Sequence, residues 1–381
     1  MLSSMSEEQE SIHAAVRRFA EAEIAPVSEA LWEKELFPYE IWRKVCELGF
    51  TGLPYPEAYG GGGGSWLSYV IVLEELSRVD CAVANSVMAN STVASLINNF
   101  GTPAQKEQYL RPILDGRKIG AIALTEPNAG SDAAAIQTRA VEARGQWVVN
   151  GSKIFISNSG TDVTGPVVIA AITGKRPDGR NEISNFILPH GTPGFTYGRK
   201  LKKIGWRASS AWELFFADCA LPRENLLGER GAGLRQTLAT INTGRILIGA
   251  LALGILQGSL DRSTAYVKER KAFGKVLASF QALQFKLADM ATHAHAARLM
   301  LYHAAELKDQ GKPFDQEASM AKLFATERAM EAAHQAIQIH GGYGIMSEYP
   351  VSRAFGDAKV LEIVEGTSEI QRMIISRRLL A

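Results

Sequence analysis

Cysteine is scarce. Cys46, Cys81 and Cys219 are the only three in 381 residues, odd in number and far apart. That excludes a disulfide framework and fits a reducing compartment. An excess of charge is missing too, since 41 Lys and Arg face 40 Asp and Glu for a net +1. So neutral a chain has no field to draw in nucleic acid or an anionic membrane surface. The longest apolar stretch, ILIGALALGIL, covers residues 246–256. Taken alone it is too short to cross a bilayer. The opening MLSSMSEEQESIHAAVRRFAEAEI has no apolar secretion core and is too acidic for a transit peptide. A soluble cytoplasmic protein is expected, or a mitochondrial matrix protein if a transit peptide has been removed.

Familiar catalytic signatures are absent as well. Among seven histidines only His293 and His295 are close in sequence, and two residues apart on a helix they face different ways, so no metal site is expected. No G-x-S-x-G elbow occurs. The five glycines at 60–64 follow no strand and precede no GK[ST], which favours a flexible surface turn over a phosphate loop.

What remains is an ordinary globular composition, 46% apolar and 21% charged, long enough for two or three domains. Up to about residue 120 the period is helical. In TPAQKEQYLRPIL, Thr102 stands as N-cap, Pro103 as first helical residue and Gln105 as capping-box partner. From 120 to 222 the period is two. VVIAAI, ISNFIL and AWELFFADCAL read as strands of an antiparallel sheet, and WVVNGSKIFIS reads as a hairpin turning at Asn150-Gly151. Helices return from about 232, the first starting near Asn242-Thr243 and rich in Gly and Ala, which implies close helix packing. The expected domains are 1–120, 121–231 and 232–381.

Several stretches could carry chemistry. GAIALTEPNAGSD (120–132) opens from a strand into a loop where Thr125, Gly130 and Ser131 offer a hydroxyl and backbone donors, though ordinary turn chemistry explains it too. ERKAFGK (269–275) sets Arg270 at a helix end, where the dipole alone or a bound phosphate would suit it. QIHGGYG (338–344) ends a helix in Gly341 and Gly342, for termination or for close approach of a ligand. In LEIVEGTSEIQR (361–372), Glu365 is a lone acid between an apolar strip and the helix start at Thr367-Ser368. It is either a guest of the helix dipole or a base kept dry.

Together, in this order, ALTEPNAGSD, VVNGSKIFISN, ERKAFGKVLASFQ and QIHGGYGIMSEYPVSRAFGDAKVLEIVEGTSEIQR resemble the acyl-CoA dehydrogenase family over essentially the whole chain. The resemblance implies an α+β multidomain fold, with an N-terminal helical domain, a middle antiparallel β-domain and a C-terminal four-helix-bundle domain. It implies FAD, a homotetramer built as a dimer of dimers, an acyl-CoA substrate and an electron-transfer flavoprotein as acceptor. By motif, Leu124, Thr125, Gly130, Ser131, Phe155, Ile156 and Ser157 would line the flavin. Arg270, Phe273, Phe280 and Gln281 would hold the pyrophosphate and adenosine half from a neighbouring subunit. Gln338, Gly341 and Gly342 would meet that half from another side, and Thr367 and Glu369 would complete the site. Ser131, Asn242, Gly244, Arg245, Glu365 and Gly366 match positions at the substrate.

Glu365 matches the family's base, which takes the α-proton of the thioester while the β-hydrogen leaves as hydride. Some relatives carry the base on the long helix, one residue before the counterpart of Arg245. That position here is Gly244, as in short-chain members. Val364 and Trp212 depart from the aromatic and the small or polar residue common at their positions, and they are expected to reshape the acyl pocket toward short or branched chains. The runner-up is an acyl-CoA oxidase, whose usual extra C-terminal domain has no room here. A nitroalkane oxidase would favour aspartate as base, and a repurposed nucleic-acid-associated member would be basic.

Overall fold

Side-chain oxygens of Ser6, Ser65, Asp80 and Thr102 accept backbone N–H groups at four helix starts, and these caps divide the first third of the chain. The computed structural model describes residues 5–380. Its first part is helical, with α1 (Glu7–Phe19), α2 (Ala25–Lys34), α3 (Tyr39–Glu47), α4 (Trp66–Val79), α5 (Cys81–Phe100), α6 (Pro103–Gln105) and α7 (Arg111–Leu114). The Thr102–Gln105 capping box forms as expected. The helix then widens into a π segment, Lys106–Leu110, ahead of Pro112, which lacks the amide an α-helical ladder needs. The five glycines form a packed turn rather than a loose one. Gly62, Gly63 and Gly64 donate to the carbonyls of Gly52, Tyr55 and Leu53. A Cβ on Gly61 would lie 2.2 Å from the Tyr55 carbonyl oxygen.

The middle part contains β1 (Ile119–Ala123), β2 (Arg139–Ala143), β3 (Gln146–Ser157), β4 (Thr164–Lys175), β5 (Asn181–Leu188), β6 (Phe195–Lys200), β7 (Ala211–Pro222) and β8 (Leu226–Leu227). The sheet runs β6-β7-β3-β2-β4-β5-β8, with β1 on β4. It is mostly antiparallel, but β1 pairs β4 in parallel and β2 touches β4 in parallel at Arg139 and Ile172. The hairpin expected at Asn150-Gly151 is not there. β3 runs through both residues, and the reversal comes at Arg144-Gly145, with φ of 52° and 78°. Asn150 instead exchanges hydrogen bonds with Asp218 of β7. Gly151 sits at a register shift, where a Cβ would lie 2.5 Å from Thr138 Oγ1.

The last part is α8 (Gly233–Glu269), a short ribbon of β9 (Lys271–Ala272) and β10 (Lys275–Val276), then α9 (Gln281–Asp309), α10 (Asp315–His340), α11 (Pro350–Leu361) and α12 (Ser368–Leu379). α8 begins nine residues before Asn242, because its first turn is tied to β5. The Asn185 amide donates to the Gly233 carbonyl, Gln236 and Thr237. The 37 residues of α8 include a stretch long and apolar enough to cross a membrane, yet 78% of that stretch is buried inside the protein. Its glycines are contact points. A Cβ on Gly254 would lie 2.4 Å from the Glu74 carbonyl oxygen of α4, and one on Gly249 would lie 2.3 Å from a methyl of Leu301 in α9.

One large core joins α1–α5 to α8–α11, and the sheet has its own core around Trp147, Phe186 and Phe216. The 201–210 segment plugs the two together. Trp206 donates its backbone N–H to Asp357 of α11 at 2.6 Å and its indole N–H to Cys81 of α5. This holds the β6–β7 connection against α5 and α11.

Candidate active site

α11 ends at Leu361, and the chain needs a sharp turn before Thr367 caps α12. Glu365 and Gly366 make that turn with φ of 54° and 93°. A left-handed conformation is unusual for a glutamate and persists only where surroundings hold it. The Gln371 amide donates to the carbonyls of Glu365 and Gly366, and Lys322 Nζ donates to the Gly366 carbonyl at 2.8 Å.

The turn aims the Glu365 side chain at α8. A Cβ on Gly244 would lie 2.5 Å from Glu365 Oε2. Glu365 as a residue keeps some surface, but Oε2 is sealed from solvent and has no hydrogen-bond partner. Burial pushes its carboxyl up to about 7, against the opposing pull of Arg245 and Lys322. Burial lowers both cations in turn, Lys322 to about 8. Arg245 is buried, bonded through Nη1 to Asn242 Oδ1 at 2.6 Å, and its Nε has no partner. A dry carboxylate with one oxygen free, poised near neutrality, is suited to taking a proton from a weak carbon acid.

Lys322 has no place in the reading of the sequence above. Its signal was present: it follows Ala318 and Ala321 and precedes Ala325 at helical spacing, all wholly buried. A lysine in such a stripe is rarely without a partner.

A second cluster surrounds a cavity of about 470 Å³ lined by Tyr266, Arg270, Leu277, Ile339, His340, Gly341, Gly342, Tyr343 and Met346. The Tyr266 and His340 rings stack at 4.2 Å, and the Arg270 guanidinium lies 5.5 Å from the Tyr343 ring centre. Thus Arg270, Gly341 and Gly342, far apart in sequence, share one wall. Phe273, Phe280, Gln281 and Gln338 do not line it within this chain. Phe273 tips the β9–β10 ribbon with φ 51° and 94% exposure, edge-on to Phe280. Gln281, Gln338 and Glu369 are exposed.

On the sheet, the loop after β1 is held from below. Lys153, wholly buried, donates to the Leu124 carbonyl and to Glu126, which accepts the backbone of Gln137 and Thr138. The Thr125 carbonyl accepts from Ile154. Gly130 and Ser131 stand exposed at the loop tip. Phe155, at φ 63°, turns a 64%-exposed ring outward, just ahead of a buried Ile156 and a half-buried Ser157. Trp212 packs with the sheet core over Gly160, and Val364 packs with the helical core.

These surfaces fit a dinucleotide with a planar ring. The cavity supplies a guanidinium for phosphate, aromatic faces, and glycines at 341 and 342 whose added Cβ would meet no atom within 4 Å. Among the described residues, no group of three or more His, Cys, Asp or Glu could hold a metal ion.

Comparisons with known proteins cover the whole fold. The description "Acyl-CoA dehydrogenase, N-terminal domain" matches residues 6–117, the middle domain 121–219 and the C-terminal domain 231–380. The chain is 47% identical over 377 residues to the probable acyl-CoA dehydrogenase YngJ of Bacillus subtilis, covering 99% of each. The butyryl-CoA dehydrogenase of Megasphaera elsdenii superposes with a TM-score of 0.96 at 42% identity over all of both chains. A chain in a structure of the electron transferring flavoprotein of Acidaminococcus fermentans does so with a TM-score of 0.96 at 44% identity, again over all of both chains.

Proposed function

The chain belongs to the acyl-CoA dehydrogenase family, a family of FAD-dependent oxidoreductases, and on that premise we propose that it converts a short-chain acyl-CoA to its trans-2-enoyl-CoA with Glu365 as the base. The observation that carries this reading is the unpartnered Oε2 of Glu365, buried and facing the space that Gly244 leaves open.

Glu365 takes the α-proton onto its carboxylate. Its raised proton affinity matches a weak carbon acid better than an exposed carboxylate would. Arg245 and Gly244 border the reacting end, and Asn242 holds the guanidinium. FAD, when bound, would supply the hydride acceptor for the β-hydrogen. Arg270, Gly341 and Gly342 would hold its pyrophosphate and adenosine half. Leu124, Thr125, Gly130, Ser131 and Phe155 to Ser157 would line its ring, with Thr367 and Glu369 nearby.

The exposed Phe273 and Gln281, with the half-buried Phe280 beside them, support a cofactor site completed by a second copy, and hence a dimer or the expected tetramer. The likeness to a chain in an electron transferring flavoprotein structure supports such a protein as electron acceptor. The butyryl-CoA dehydrogenase likeness supports a short acyl chain. The reading takes 1–120, 121–231 and 232–381 as the domains and places the enzyme in the cytoplasm.

Glu365→Gln tests it. The variant keeps shape and loses the base, so it should purify with its FAD and still perturb the flavin spectrum on binding a four-carbon acyl-CoA. Anaerobic bleaching should slow by roughly 10²–10⁴. Bleaching at near-parental rate would place the base elsewhere.

A further inference from the structure

Lys322 is wholly buried on α10, in a stripe with Ala318, Ala321 and Ala325. Its one hydrogen bond goes to the Gly366 carbonyl at 2.8 Å. That oxygen already accepts from the neutral Gln371 amide, also at 2.8 Å. A second neutral donor would satisfy the carbonyl at far lower desolvation cost than an ammonium. The charge therefore needs another reason, and the residue next to the carbonyl it touches is Glu365, whose carboxylate attracts it.

Resting on the reading of Glu365 as base, we propose that Lys322 is its positioning residue, pinning the Glu365–Gly366 turn from α10 and holding the sealed carboxylate in its ionised form until substrate arrives.

The surroundings leave few other groups for this. From α8, Arg245 faces Glu365 but is also drawn toward Asp315 at the start of α10, which pairs with Arg378 of α12. From the turn and α12, Glu362 and Glu369 face Lys322. Glu362 is itself paired with Lys359, and Glu369 is exposed. Lys322 thus stands between the buried base and two outer acids, and among these charged side chains it is the one that bonds the backbone of the Glu365–Gly366 turn, beside the neutral Gln371 amide. The turn also needs glycine at 366, because its φ is 93° and a Cβ there would lie 2.8 Å from Gln371 Nε2.

A structural pin and a charge differ in how they answer to pH. The base must be ionised to act, so reduction should rise with pH to a plateau, with its midpoint at the proton affinity of Glu365 in the complex. Removing a facing cation raises that midpoint and leaves the plateau. Lys322→Met removes charge and hydrogen bond. Lys322→Gln keeps a donor for Gly366, and Lys322→Arg keeps the charge.

The test is anaerobic flavin reduction of each holoenzyme by a four-carbon acyl-CoA against pH. Alongside it runs an infrared titration of the Glu365 carboxyl band, isolated by subtracting the Glu365→Gln spectrum. In both Met and Gln variants the midpoint and the band should move up by roughly one pH unit or more, with substrate affinity little changed. Lys322→Arg should return them toward the parent. An unmoved midpoint and band, or a rate loss equal at every pH, overturns the proposal. If Lys322→Met does not fold, the shorter but polar Gln variant decides. Should Glu365→Gln itself still bleach, the base assignment fails and takes this inference with it. If Glu365→Gln is inert while Lys322 variants titrate as the parent, only the role of Lys322 falls.

Discussion

At the scale of single residues the site depends on what Gly244 lacks. A methyl group there would lie 2.5 Å from Glu365 Oε2, the tip of a side chain that can swing away. Gly244→Ala should therefore cost little stability, since alanine favours the helix by up to ~1 kcal/mol and the clash is relieved by rotation. Catalysis is less tolerant, because a shift of about 1 Å in a reacting group can cost on the order of 10²-fold. The variant should keep its FAD and melting temperature while anaerobic reduction slows at least tenfold. A variant reducing at the parental rate would show that the carboxylate does not need its present position. Glu365 itself stood out in the sequence as an acid among apolar neighbours. Lys322 did not, since nothing in SMAKLF says which carbonyl 44 residues later it will meet.

At the scale of elements, glycine has the opposite meaning within the same helix. On α8, a Cβ at Gly254 would lie 2.4 Å from the Glu74 carbonyl oxygen and 2.6 Å from Ser77 Cβ, both fixed parts of α4. Here the gain in helix propensity of up to ~1 kcal/mol must be set against overpacking at about 1–3 kcal/mol, and overpacking wins. Gly254→Ala should lower the melting temperature measurably with its pH dependence unchanged. If it raised stability, the α4–α8 contact would be looser than the structure shows. That α8 packs closely was legible from its Gly and Ala content, but its start was not. The β5 amide of Asn185, which ties down Gly233, is distant in sequence. The hairpin failed for a related reason. Asn-Gly is a strong turn dipeptide in isolation, but Asp218 on β7 and Thr138 on the other side use both residues inside a strand.

At the scale of the molecule, the three parts meet at Asp357. It accepts the Trp206 amide from the sheet side and faces Asp80, which caps α5 and accepts from Ser28. Burial, with Asp80 adding to it, pushes its carboxyl up to about 7 from 3.8. The folded value lies above the unfolded one. The protonated group's contribution is therefore complete below pH ~4 and is lost as pH rises through ~7. Asp357→Asn keeps an acceptor for Trp206 and cannot ionise. Relative to the parent, its stability should improve by a few kcal/mol between about pH 4 and 7.5, read from urea midpoints at the two pH values. A constant difference across that range would mean that Asp357 is ionised at this junction throughout.

The amino-acid order determined the helical, β and helical parts and the family they belong to, because periodicity, caps and long ungapped motifs are local properties of the chain. It also marked Glu365, Arg270, Gly341 and Gly342, through motifs that resemble the family's. Only the tertiary structure decided that Arg270 and the two glycines share one cavity, and that Asn150-Gly151 continues a strand. It alone set Gly244 against the unpartnered oxygen of Glu365 and brought Arg245 and Lys322 to act on the same carboxyl. Each of those outcomes depends on desolvation and on contacts between segments far apart in sequence. Neither exists until the chain has folded.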